Sequence, residues 1–232
     1  MLLASAGLCP AQDLTVKGHV TVAGPASHAR SDNGEAVLWL TPVDDQVDSA
    51  RAGNQSPAGR YQLLQQGRRF RPHVLVVPAG AVVEFPNNDP FFHNVFSLFD
   101  GKRFDLGLYE AGSTKRVTFS LPGISYIFCN IHPEMSAVVV VTKTPYYAVS
   151  DRQGDVVMKH VPPGRYELNV WHERCLPDTL RALSREILIS PSSTSLGEIP
   201  LLEAGDLLAK HKNKYGRDYD GKAAIDSSYA QP

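Results

Sequence analysis

The sequence predicts an all-β protein built from β-sandwiches, and three observations carry that expectation. Short runs of alternating apolar and polar residues recur along most of the chain, helical periodicity is nearly absent before Leu201, and 18 Gly and 17 Pro interrupt the chain often. Alternation at period two sends every second side chain to one face, as in a sheet buried on one side. Frequent Gly and Pro supply the turns that join such strands.

The elements follow in order. Leu14 to Val22 alternates and stops at Gly24-Pro25; Ala36 to Leu40 is a second strand, ended by Thr41-Pro42. Asp44 to Gly59 is polar and rich in turn formers, hence a loop. His73 to Val77, the turn Pro78-Ala79-Gly80, Ala81 to Phe85 and the polar break Asn87-Asn88-Asp89-Pro90 come next. Lys115 to Phe119 alternates again, and Ser125 to Phe128 and Ala137 to Val141 flank a loop. Tyr147 to Ser150, Asp155 to His160, Tyr166 to Trp171 and Glu186 to Ile189 complete the strands. Leu201 to Lys212 reads as a helix, and Asn213 to Pro232 as a polar, poorly ordered tail.

Composition bounds the function. The 23 basic and 24 acidic side chains of the 232 residues give a net charge of -1, so no strongly positive surface grips nucleic acid. The 43% of hydrophobic residues suffices to bury a core in one or two domains. No apolar run approaches the roughly 18 residues of a membrane helix. Three cysteines, Cys9, Cys129 and Cys175, are too few for a disulfide-stapled scaffold. Residues 1–12, MLLASAGLCPAQ, resemble the apolar half of a secretory signal without its basic leader, with Ala11 as a small cleavage residue. Leu8 before Cys9 is too large for the usual lipoprotein signal, which makes lipidation the weaker alternative, and the expectation is a periplasmic or otherwise exported protein.

The segment that carries chemistry is Cys129-Asn-Ile-His132-Pro-Glu-Met135, a thiolate, an imidazole and a thioether each three residues apart on a loop between two strands. A trigonal copper site needs a Cys sulfur, two His nitrogens and a weak axial Met sulfur. A loop can wrap such donors around one ion, whereas a continuous strand would point them to opposite faces. The missing imidazole is best supplied by His93, which follows the strand Ala81 to Phe85 after a turn and so falls at one pole of a sandwich. Asn94 is placed to tie the His93 segment to the Cys129 loop through its side-chain amide. Phe91, Phe92, Phe96 and Phe128 supply an apolar surround.

Asn88-Asp-Pro-Phe-Phe-His93-Asn94-Val and Cys129-x2-His132-Pro-x-Met135 resemble the blue copper proteins, the cupredoxins, with the loop spacing of amicyanin and a His-Asn-Val segment shared with plastocyanin. The resemblance spans about residues 66 to 143. It implies a Greek-key β-sandwich holding one type 1 copper, with His93, Cys129 and His132 as equatorial ligands and Met135 as axial ligand. It also implies one-electron transfer rather than catalysis on a substrate, with His132 as the electron route. The partner would be a c-type cytochrome or an exported dehydrogenase, docking on a rim of Pro90, Phe91 and Pro133. Phe104 to Tyr109, Pro163 to Tyr166 and Trp171-His172-Glu173 are similar to plastocyanin-like proteins labelled as methylamine-utilisation proteins.

The flanking sequence has a second likeness. Val16 to Val22 and Glu35 to Leu40, with the turn Asp151-Arg-Gln-Gly154 and Pro162-Pro-Gly-Arg-Tyr166, resemble a carboxypeptidase regulatory-like (transthyretin-like) sandwich. The expected organisation is residues 13–64 plus 144–200 as this split sandwich, 65–143 as the inserted copper unit, and 201–232 as helix and tail. Alternatives remain for the metal unit: a copper carrier or storage module, or an interaction module whose copper does not cycle. Zinc suits two imidazoles and a thiolate, but a thioether is a poor fourth ligand for it. A Cys129–Cys175 disulfide would abolish the site. His172-Glu-Arg-Cys175 reads as a surface loop, and His19, His28, His73, His160 and His211 as scattered structural or solvated residues. No nucleophile elbow, phosphate loop or dinucleotide fingerprint occurs.

Overall fold

The computed structural model describes residues 13–24, 33–44, 59–98, 101–204 and 211–219. Within them the protein is all-β, with strands in several sheets and one short helix. They divide into two compact units, one from the described parts of Met1–Gly53 and Tyr146–Glu203, the other from those of Asn54–Pro145 and Ala204–Pro232. The signal-like segment 1–12, His28 and most of the predicted 44–59 loop lie outside the described residues.

In the first unit, β1 (Leu14–Ala23) runs antiparallel to β14 (Asp155–Val161) and parallel to β17 (Ser195–Leu202). A second sheet has the order β13 (Tyr147–Val149), β2 (Val37–Pro42), β15 (Gly164–Trp171), β16 (Arg185–Ile189), all antiparallel. Val156, Met158 and Val161, like Tyr166, Leu168 and Val170, are the buried members of alternating strands. The turn into β14 shows how sequence dictates local structure. Asp151 Oδ1 accepts the N–H groups of Gln153, Gly154 and Asp155. Gly154 has φ 99°, and a Cβ there would collide with the Val20 carbonyl. Only glycine meets both conditions at low cost. Tyr166 is fully buried, and its hydroxyl donates to the Pro162 carbonyl at 2.8 Å.

The second unit has a five-stranded sheet in the order β6 (Val74–Pro78), β12 (Ser136–Thr142), β11 (Gly123–Phe128), β8 (His93–Ser97), β9 (Phe104–Tyr109). A three-stranded sheet, β10 (Thr114–Phe119), β7 (Ala81–Pro86), β3 (Tyr61–Gln62), and the hairpin β4 (Leu64–Gln65), β5 (Phe70–Arg71) complete it. One apolar cluster links both sheets, including Val83, Phe85, Phe119, Ile127, Val139, Cys129 and Met135. β3 pairs with β7 and β4 with β5, so residues 61–64 belong to this unit although the sequence places its start at residue 65.

Two expectations are corrected. Leu201 and Leu202 end β17 instead of opening a helix: they pair with Val22 and Ala23, and burial alternates between 2% and 62%. Residues 205–210 lie outside the described residues, and 211–212 carry no helix. The described helix, α1, is instead Pro177–Leu183, too short to show periodicity, started by its leading Pro and anchored by buried Leu180. Within the expected tail, residues 213–219 form a turn bonded to the second unit, while 220–232 lie outside the described residues.

Candidate metal centre

Strand pairing brings the two distant segments together. β11 runs antiparallel to β8 with Phe128 opposite Phe96, so the chain leaving β11 heads back along β8 toward its first residue. Cys129 follows β11 directly and His93 opens β8. The intervening loop is closed by Cys129 N–H donating to the Met135 carbonyl (3.2 Å) and Met135 N–H donating to the His132 carbonyl (3.0 Å). Pro133, unable to donate to a ladder, keeps this stretch out of the strand.

Three donor atoms converge. Cys129 Sγ lies 3.8 Å from His93 Nδ1 and 3.6 Å from His132 Nδ1, and the two nitrogens are 3.1 Å apart. The point equidistant from all three is about 2.0 Å from each, close to the roughly 2.0–2.3 Å of metal bonds to imidazole nitrogen and thiolate sulfur. Among the described residues this is the one group of three such side chains able to hold a metal ion, and all three are buried. Met135 is fully buried in the same apolar cluster as Cys129. The donor set of two imidazoles and a thiolate fits a soft or borderline transition metal.

The surroundings prepare these atoms for a cation. The backbone N–H groups of Asn94, Ile131 and His132 point at the Cys129 sulfur. Burial raises the thiol's pKa, and those three donors offset the rise only in part. Burial lowers His93 against the opposing pull of Asp89. Burial, with His93 and Arg68 adding to it, pushes His132 down to about 4. Both rings are therefore neutral at neutral pH, the form in which a ring nitrogen offers a lone pair. The Phe91 ring lies 5.2 Å from the His93 ring and 5.6 Å from the His132 ring, covering both. Phe96 and Phe128 pack on each other at 5.9 Å, and Phe92 is half-buried.

Asn94 acts differently from the sequence expectation. Its side-chain amide donates to Asp105 Oδ1 at 2.7 Å, tying β8 to β9, because the side chain projects toward that neighbouring strand. Its link to the Cys129 loop is the backbone N–H at the sulfur.

Several contributors escaped the sequence reading. Asp89, in the predicted polar break, places Oδ2 2.8 Å from His93 Nε2. The segment 211–219 lies against the Cys129–Met135 loop. His211 stacks on Phe128 at 4.1 Å, and its Nε2 lies 2.7 Å from the Pro133 carbonyl. Tyr219 donates its hydroxyl to the Cys129 carbonyl at 2.9 Å, and Lys214 N–H donates to Asn130 Oδ1 at 3.0 Å. Lys214 Nζ pairs with Asp105 at 2.8 Å. The signal for this contact is a run of His, Lys and Tyr inside a polar tail, and polarity alone reads as disorder.

Elsewhere, His172 and Cys175 are buried rather than on a surface loop, with sulfur and Nδ1 3.5 Å apart, and burial pushes the thiol up to about 11. Their burial follows from β15 ending in the apolar Trp171 and from packing of α1 against β15 and β17. Cys129 and Cys175 are both free thiols. His19 bonds Asp155, and His73 bonds the Ser136 carbonyl.

The sequence matches no protein-family profile and no curated protein. Solved structures similar to part of the chain include a Cu-containing nitrite reductase from Thermus scotoductus SA-01, 28% identical over 37% of this chain and 23% of that one, with TM-score 0.35. A purple cupredoxin from Nitrosopumilus maritimus is 23% identical over 35% of this chain and 99% of its own, with TM-score 0.33. A proline-to-alanine mutant of amicyanin in its oxidized state is 21% identical over 39% of this chain and 89% of its own, with TM-score 0.35. The chain thus spans less than a quarter of the nitrite reductase's length.

Proposed function

We propose that this protein holds one copper ion in a type 1 site and passes single electrons between redox partners outside the cytoplasm. In this reading His93, Cys129 and His132 would hold the ion, with Met135 as a further, weak donor. The observation that carries it is the convergence of three buried donor atoms around one point, from segments 36 residues apart in the chain. A bound copper ion would supply a Cu(II)/Cu(I) couple. The chain's own residues hold the donors. β8 and β11 fix His93 and Cys129, three backbone N–H groups cradle the sulfur, and Phe91 shields both rings from water. Rigid donors that stay in place when the charge changes suit electron transfer. A carrier that loads and unloads metal needs exposed, mobile donors, and these are buried.

His132 is the electron route in this reading, with Pro90, Phe91 and Pro133 as the docking rim. In support, Pro90 and Pro133 are exposed and Phe91 is half-buried against the His132 ring. The partner would be a c-type cytochrome or exported dehydrogenase, meeting the rim through the small contact of transient redox encounters. We also infer that the metal unit is inserted into a carboxypeptidase regulatory-like sandwich. The pairing of β1 and β2 with β13, β14, β15 and β17 supports this.

The test is to load the purified protein with Cu(II) and record its visible spectrum. An intense thiolate charge-transfer band that is lost in Cys129→Ser is the expected outcome; a colourless adduct rejects the proposal. Met135→Leu is expected to keep the band and raise the reduction potential, because a donor to Cu(II) is removed. An unchanged potential would remove Met135 from the ligand set.

A further inference from the structure

The second ring nitrogen of His93 faces a buried carboxylate. Nε2 lies 2.8 Å from Asp89 Oδ2, with His93 fully buried and Asp89 only 6% exposed. The carboxylate is held in place independently of the imidazole. Gly67 N–H donates to Oδ1 at 2.6 Å and Arg68 N–H to Oδ2 at 3.0 Å, and the Asp89 N–H donates to Asn87 Oδ1. Both donors come from the tight turn between β4 and β5, where Gln66 N–H donates to the Arg69 carbonyl and the central residues Gly67 and Arg68 have φ 64° and 54°. That left-handed pair is the turn type suited to a two-residue hairpin, and Gly at its first position adopts it without strain. The turn thus presents two successive N–H groups to an anion.

We propose that Asp89 is a positioning residue of the metal centre that also sets its preferred charge state. By accepting the Nε2 proton of His93 it turns the Nδ1 lone pair toward Cys129 Sγ and His132 Nδ1. Its buried charge, added to that of the thiolate, balances a divalent rather than a monovalent ion.

The inference rests on the copper reading above and deepens it. A neutral imidazole carries one proton, so fixing it on Nε2 frees Nδ1 for coordination. A carboxylate accepting from a ligating imidazole makes that ring a stronger donor, which favours the more highly charged ion. Two buried negative charges against Cu(II) leave the centre neutral, whereas against Cu(I) they leave one uncompensated negative charge. Other charges near the rings stand further out. Arg68 has its guanidinium over the Phe91 ring at 5.2 Å, and Glu134 is exposed. They oppose one another in sign and act on His93 and His132 more weakly than burial does.

Two measurements test this on the full-length protein. In the metal-free form, ring ¹⁵N NMR of His93 is expected to show the proton on Nε2; a proton on Nδ1 overturns the positioning role. In the copper form, Asp89→Asn removes the charge with little change of shape. It is expected to keep the thiolate band while lowering the Cu(II)-to-Cu(I) affinity ratio at least tenfold, an upward shift of ~59 mV or more for a one-electron couple. An intact band with an unchanged potential overturns the charge role. A wild-type protein with no thiolate band sinks the copper reading instead. The NMR result on metal-free protein still decides whether Asp89 orients His93, and the Asn variant need not fold for that.

Discussion

The Cys129 sulfur takes three backbone N–H groups while buried from water, so the chain has already arranged donors where a thiolate charge would sit. Its nearness to His132 is legible in sequence because type and spacing are local properties: the two lie three residues apart in one loop. Asp89 could not be found that way. Its role depends on a turn 21 to 22 residues earlier that folds against it, and nothing in the string Asn-Asn-Asp-Pro announces that contact. Glu84 shows the same dependence away from the site. Gln62, Arg116 and Arg60 bond its carboxylate and hold its pKa at about 2, below the usual 4.5. A depressed folded pKa means that the stabilisation is complete above about 4.5 and is lost as pH falls toward 2. Glu84→Gln is therefore expected to be less stable than wild type at neutral pH, with the two urea midpoints converging between pH 4.5 and 2. Parallel midpoints across that window would show that the cluster contributes nothing.

Strands with clean alternation, such as β10 and β14, are legible in sequence, because period two survives any tertiary context that buries one face. β9 is not. Gly107, at φ 68°, interrupts it, and its pairing with β8 slips between Asn94 and Phe96. β17 carries a Leu-Leu pair whose helical appearance is overruled by pairing with β1. The 211–219 segment is the least legible, since its polar residues find partners on the folded Cys129–Met135 loop and on Asp105 of β9, far away in sequence. Its bonds to the Cys129 and Pro133 carbonyls brace the backbone that carries Cys129 and His132. Removing one such bond costs about 1 kcal/mol, or ~5-fold in an opening equilibrium. Tyr219→Phe is thus expected to speed loss of bound metal to a chelator by about fivefold while leaving the ligand set intact, and His211→Ala should add to it. Chelation rates equal to wild type in the double variant would mean that the segment does not brace the loop.

At the scale of the molecule, two compact units are each drawn from non-contiguous stretches, the first from the described parts of Met1–Gly53 and Tyr146–Glu203. Sequence signals the first unit through its turns: the Asp151 side chain capping three N–H groups, and Gly154 beside Val20, are requirements that a reader can see in Asp-x-x-Gly. It cannot reveal that residues 211–219 return to the second unit, because no local pattern encodes that return. The function proposed here needs only that β8 and β11 hold three atoms around one ion. X-ray absorption of the copper-loaded protein measures that directly. One sulfur and two imidazole nitrogens at metal-bonding distances of about 2.0–2.3 Å are the predicted shell. A shell of oxygen and nitrogen donors without sulfur would contradict the account.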